Sequence, residues 1–230
     1  MRMSRYLILV FCLLLAAPLP ARADFDAGVA AYERGDFEAA MTEWLPLAEA
    51  GDAEAQYRIG RLYDRGEGVE ESSRNALHWY KISAENGHKS GTYNLGHMYW
   101  HGAGLKRDRA KAVSWFRRAA ERGHPKAQHY LGKAYEDGQG VEEDQERAVY
   151  WFERAARQGN TNAHGSLSYH YMYGKGVKMD PVKSFMWFTL WQREPNWRTY
   201  IVYPILWSRT EPLQRQEAKN LAREWKPEPE

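Results

Sequence analysis

His97 and His101 stand four residues apart, one helical turn, a spacing that lets two imidazoles share a metal ion. Two ligands do not make a site, and the sequence fixes no third, although His129 could approach from further along the chain. There is no G-x-S-x-G elbow, no H-E-x-x-H, no phosphate-binding loop and no S-x-x-K serine motif. Any reaction would have to rest on scattered carboxylates and histidines, so no catalytic residue, metal or cofactor is predicted. The chemistry that remains is recognition. Tyr57, Arg61, Arg65, Tyr93, His97, Trp100, His101, His129, Lys133, Tyr169, Met172 and Tyr173 are rings, cations and a thioether of the kinds that anchor binding surfaces.

Those residues share one setting. Trp79, Trp115, Trp151 and Trp187 are each 36 residues apart, as are Tyr63, Tyr99, Tyr135 and Tyr171. The glycine pairs Gly66/Gly68, Gly102/Gly104, Gly138/Gly140 and Gly174/Gly176 keep the same step. A period of this length marks one supersecondary unit copied and stacked, because each copy buries its apolar face only against the next.

Within a copy the pattern reads as two helices. Positions 91, 95, 98 and 99 form the apolar or small stripe of a first helix, which Gly66 and its equivalents end with a left-handed cap. Gly60, Gly96 and Gly132 occupy one slot inside that helix, and Ser168 fills it in the last copy. Glycine there costs about 1 kcal/mol against alanine, so close helix approach is the expected reason. Ser72, Asp108, Asp144 and Asp180 cap a second helix, and Pro181 follows the last of them. Its predicted buried face is Ala112, Trp115, Phe116, Ala119 and Ala120, and Gly87, Gly123 and Gly159 close it. His88 and His124 then read as turn residues between copies.

These residues resemble Sel1-like repeats, relatives of the tetratricopeptide repeat, in their secreted bacterial form. The pattern A-x-x-x-L-G-x-x-Y-x-x-G-x-G-V, then D-x-x-x-A-x-x-W-[FY]-x-x-A-A-x-x-G, is matched nearly throughout from Ala127 to Gly159, and the likeness runs from Ala53 to Gln192. Tyr32 to Ala40 looks like the shorter-looped tetratricopeptide form. The resemblance implies an all-α fold, a right-handed α-solenoid of helix-turn-helix repeats with a C-terminal capping helix. The expected divisions are a signal peptide over 1–23, a capping hairpin over 24–52, four repeats over 53–194, and a capping segment with a frayed tail over 195–230. Trp191, Gln192 and Pro195 break the pattern, so no further identical copy docks there. Beyond them a short helix is expected from Trp197, interrupted by Pro204. A better one follows Thr210-Glu211-Pro212, with Leu213, Ala218, Leu221, Ala222 and Trp225 on one face.

In such a superhelix the first helices line the concave side, and slots turned from the partner helix form a stripe. The twelve recognition residues come from that stripe, together with Asp64, Glu136 and Asp137. Tyr57 and Tyr93 fit the family pattern, and packing between copies accounts for them as well as binding does. Trp100, His101, Met172 and Tyr173 lie outside the pattern and are the stronger candidates.

Composition sets the compartment. Two arginines in the first five residues, an apolar run from Tyr6 to Ala17 and the small-residue site Ala21-Arg22-Ala23 make a cleavable secretory leader, too short to span a bilayer. Cleavage near Asp24 removes Cys12, the only cysteine, and takes the formal charge from +2 to −1 by loss of Arg2, Arg5 and Arg22. Neither a disulfide framework nor a nucleic-acid partner is expected. A periplasmic or secreted protein follows, with no membrane segment after cleavage. The expected function is a non-catalytic adaptor that binds another protein of the envelope or exterior on its concave face. The resemblance implies roles such as restraining signalling receptors or supporting envelope assemblies. A glycan or peptidoglycan binder is the alternative. A β-lactam hydrolase, associated with a cysteine-rich branch of the family, transfers poorly to a chain lacking those cysteines.

Overall fold

The computed structural model describes residues 24–192 and 204–228. The expected leader, the helix expected from Trp197 and the departure at Pro195 lie outside the described residues. The helices are α1 (Phe25–Glu33), α2 (Phe37–Glu49), α3 (Ala53–Arg65), α4 (Ser73–Glu85), α5 (Lys89–His101), α6 (Arg109–Glu121), α7 (Pro125–Asp137), α8 (Gln145–Arg157), α9 (Thr161–Tyr173), α10 (Pro181–Trp191) and a C-terminal helix, Pro212–Glu224. Each of α1 to α9 packs on its successor, and the C-terminal helix packs on α10. No strand occurs among the described residues. The result is an α-solenoid.

Local chemistry writes the unit four times. Gly66, Gly102, Gly138 and Gly174 take φ of 65°, 80°, 63° and 66°, the left-handed region open to glycine, and end the first helices. The backbone N–H of Ser72, Asp108, Asp144 and Asp180 then donates to the carbonyl of Tyr63, Tyr99, Tyr135 and Tyr171 at 2.9–3.0 Å, closing each loop identically. The side chains of the same four residues cap the second helices. Between α1 and α2 the connection is only residues 34–36, the shorter form expected of the first hairpin.

His88 and His124 do more than turn the chain. His88 Nδ1 accepts from Gly91 N, and His124 Nδ1 from Ala127 N, each at 3.2 Å, the N-cap position that Asp52 and Asn160 fill elsewhere. Imidazole is an uncommon cap, which is why the sequence reading passed over it.

The core is a column of rings at the same 36-residue step. Trp44, Tyr80, Phe116, Phe152 and Phe188, one per hairpin, are each at most 1% exposed. Burying such a ring contributes about 2–3 kcal/mol. Gly60, Gly96 and Gly132 face these rings so closely that a Cβ would lie 2.6–2.8 Å from the Tyr80, Phe116 or Phe152 ring, which explains glycine inside the helix. In α6 the buried face is Ala112, Val113, Phe116, Ala119 and Ala120, whereas Trp115 is half-buried under the Arg118 guanidinium. Buried amides join units: Gln56 Nε2 donates to Ala48 O at 2.9 Å, and Gln128 Nε2 to Ala120 O at 3.2 Å.

Residues 204–208 are helical. The far end departs from expectation in two ways. The C-terminal helix buries Ala218 and Ala222, while Leu213 is 85% exposed and Leu221 exposed, because five residues carry Leu213 well round the helix from Ala218. The tail expected to fray from Lys226 is docked as far as Glu228, the last described residue, and Trp225 packs just before it. Trp225 packs on His164 and Trp187, Pro227 lies against Gly159, and Glu228 N donates to Arg157 O at 2.7 Å.

Candidate binding groove

The exposed stripe of the first helices runs at i, i+4 and i+8. It comprises Tyr57, Arg61 and Arg65; Tyr93, His97 and His101; His129, Lys133 and Asp137; and Tyr169 and Tyr173. Each is at least partly accessible, with Arg65, His101, Asp137, Tyr169 and Tyr173 exposed.

Two strong candidates are not on this surface. Trp100 is 8% exposed and Met172 5%. Both occupy the slot that Asp64 and Glu136 fill in the other copies, but unlike the exposed Asp64 they are covered by neighbouring side chains. Trp100 is covered by Tyr130 of the next unit and Phe116, at ring separations of 6.0 and 5.7 Å. Met172 is enclosed by Phe185, Phe188, Leu206 and Ala218. Slot position along one helix does not register side chains brought in by adjoining elements, here Tyr130 for Trp100 and Leu206 for Met172.

Two clefts lie along the stripe. One, of about 400 Å³, brings together Tyr57, Arg61, Arg65 and Tyr93 with Asp64, His124 and Lys126. The other, of about 540 Å³, is lined by Tyr93, His129, Tyr130 and Lys126, with an amide-bearing rim at Gln158, Asn160 and Asn162. Tyr93 is common to both, stacked on His124 at 4.6 Å and 17°. Lys126, Tyr130 and the amide rim were absent from the sequence reading. Their one sequence signal is that Tyr130 holds a slot occupied by Arg58, Asn94 and Ser166 in the other copies.

Electrostatics divides the stripe. Burial, reinforced by Lys89 and Lys126, brings His124 down to about 4, and burial with Lys133 does the same to His129. Burial and the adjoining His101 also lower His97. His124 and His129 therefore present neutral rings near neutral pH. Lys133 is committed to its own helix, pairing with Glu136 and, at 3.2 Å, with Asp137. Burial pushes the Glu136 carboxyl up, but contacts with His170 and Lys133 outweigh it and hold the group at about 2. At the far end the Tyr169 and Tyr173 rings lie 4.8 Å apart, flanked by Lys175 and Arg209.

No third ligand is grouped with the histidine pair among the described residues. His97 and His101 rings are 4.3 Å apart, but Tyr130 stands beside His97, and His129 packs on Phe152 instead. Among the described residues no three His, Cys, Asp or Glu side chains are grouped to hold a metal. No helix among them is long and apolar enough to cross a membrane.

Fold and groove together define an α-solenoid of repeated helical hairpins. The chain belongs to the Sel1 repeat family, whose pattern matches residues 53–88, 90–124, 125–160 and 162–191. Among solved structures it is similar to a protective antigen of uropathogenic Escherichia coli displaying an SLR fold, with 34% identity and a TM-score of 0.78 over 87% of this chain. This chain spans 44% of that antigen's length. A Sel1 repeat protein from Oxalobacter formigenes is 32% identical, with a TM-score of 0.69, over 75% of this chain and 71% of that one. An immunity protein of Pseudomonas aeruginosa, Pa5087, shares the fold at 20% identity and a TM-score of 0.52, over 85% and 80% of the respective chains. No curated protein matches the chain. Sel1 repeats generally serve as non-catalytic scaffolds for protein–protein interaction.

Proposed function

We propose that this chain is a non-catalytic binding module that holds an extended segment of another protein along a concave face formed by α3, α5, α7 and α9. The supporting observation is the accessible stripe from Tyr57 to Tyr173, where rings and cations stand at slots that packing leaves partly open. Aromatic side chains offer large contact area at low conformational cost. The basic, apolar and A-x-A order of the first 23 residues supports a periplasmic or secreted setting, and hence a partner of the envelope or exterior.

Immobilised protein incubated with envelope extract tests this reading. A stoichiometric protein should be retained by the native chain and by Tyr150→Ala on a second helix, and lost with the double variant Tyr169→Ala/Tyr173→Ala. Equal retention by all three would remove the groove from the account. The amide rim beside Tyr93 and Tyr130 also suits a sugar, so a glycan ligand is the second reading. Co-sedimentation with purified peptidoglycan, without any retained protein, would favour it.

A further inference from the structure

The first cleft has unbalanced charge. Arg61, Arg65 and Lys126 line it against the single carboxylate of Asp64. Asp64 is engaged, accepting a hydrogen bond from the Tyr80 hydroxyl at 3.2 Å, and Arg65 pairs with Glu67 at 3.4 Å. Arg61 and Lys126 have no carboxylate partner among the described residues. Arg61 is nevertheless held in place. Its guanidinium lies 5.7 Å from the Tyr32 ring and 5.8 Å from the Tyr57 ring, and Nη2 donates to the Tyr32 hydroxyl at 3.3 Å. A guanidinium already ordered by rings loses little freedom when it binds, and its planar fork matches a carboxylate. Lys126 faces it across the cleft from α7, making no hydrogen bond or ion pair among the described residues, with the Tyr93–His124 stack on the cleft wall.

We propose that this cleft seats an acidic side chain, Asp or Glu, of the bound protein segment, its carboxylate lying between Arg61 and Lys126 and its neighbours resting on the Tyr57 and Tyr93 rings. The inference rests on the protein-segment reading above and adds the chemistry of the occupant. Charge complementarity of this kind governs encounter and specificity, and salt weakens it.

Phage selection of random peptides on the folded full chain tests the inference, with Lys126→Glu as counter-target because that side chain supports no contact folding needs. The native chain should enrich peptides carrying Asp or Glu close to an aromatic or aliphatic residue. A fluorescein-labelled peptide from that pool should bind about tenfold more weakly to Lys126→Glu and to Arg61→Gln, with unchanged thermal melting of Lys126→Glu. Its Glu→Gln or Asp→Asn analogue should lose affinity for the native chain to a similar degree, and added salt should weaken the parent peptide. Enriched peptides without acidic residues, or binding indifferent to Lys126→Glu, would overturn the inference while leaving the protein-segment reading standing. Recovery of no peptide at all, with retention on peptidoglycan, would overturn both.

Discussion

The guanidinium carbon of Arg109 lies 3.9 Å from the centre of the Trp100 ring, clamping the last turn of α5 to the first residue of α6. With Phe116 and Tyr130 on its other sides, Trp100 is a core residue of the second and third repeats. Trp100→Ala should therefore lower the free energy of unfolding by about 3–5 kcal/mol. Tyr173→Ala, at a ring 41% exposed, should change it by less than about 1 kcal/mol. Urea denaturation of the two variants side by side decides the matter, and the opposite ranking would return Trp100 to the surface.

A methyl group on Gly96 would lie 2.8 Å from Cδ1 of Phe116, a fully buried ring that cannot swing aside. Alanine gains about 1 kcal/mol of helix propensity, whereas overpacking costs about 1–3 kcal/mol. Gly96→Ala is expected to be net destabilising, and Gly35→Ala serves as a comparison in open space, where only the positive φ of 80° opposes it. A rise in melting temperature for Gly96→Ala would mean that the two helices can separate freely.

Acid should destabilise the protein in two stages. His124 and His129 titrate at about 4 in the fold against 6.5 ordinarily, so the unfolded chain binds protons first. Their contribution is complete above pH 6.5 and is lost as pH falls toward 4, at most about 1.4 kcal/mol per pH unit for each group. Glu54 and Glu136 are held at about 2 against 4.5, Glu54 chiefly by its hydrogen bond with His88, so their contribution disappears between pH 4.5 and 2. His124→Asn keeps a cap of the kind Asn160 provides and should remove its share of the first stage, leaving that of His129. Glu136→Gln should remove its share of the second, leaving that of Glu54. Melting temperature followed across both windows checks each sign, and a level profile from pH 6.5 to 4 would contradict the neutral buried rings.

Truncation after Glu224 removes Trp225 from His164 and Trp187 and leaves Arg157 O without its donor at Glu228. A loss of about 2–4 kcal/mol is expected from the exposed apolar surface and the orphaned carbonyl. Hydrogen exchange should localise the loss to α8, α9 and α10, since each unit of a solenoid leans only on its neighbours. Unchanged protection there would make the tail a passenger.

The accessible stripe could be read in part from spacing alone. Tyr57, Arg61, Tyr93, His97, His129 and Tyr169 are at least partly accessible, as slot counting predicts, since rotation along one helix is a local property. Trp100 and Met172 escaped because their burial depends on Tyr130 and Leu206, more than twenty-five residues away in each case. Lys126 was passed over because it stands at the start of α7, outside the counted stripe, and matters only opposite Arg61.

The sequence by itself determined the repeated unit, its caps and the point where the array changes character at Trp191. Left-handed glycines, side-chain caps and the 36-residue step act through hydrogen bonds between residues within one copy. Tertiary structure decided which rings are core and which are surface, that His88 at the N-cap of α5 reaches Glu54 of α3 at 2.6 Å, and that the acidic tail docks on Gly159. Those outcomes depend on which side chain the adjoining unit brings into contact, and that is settled only when the copies stack.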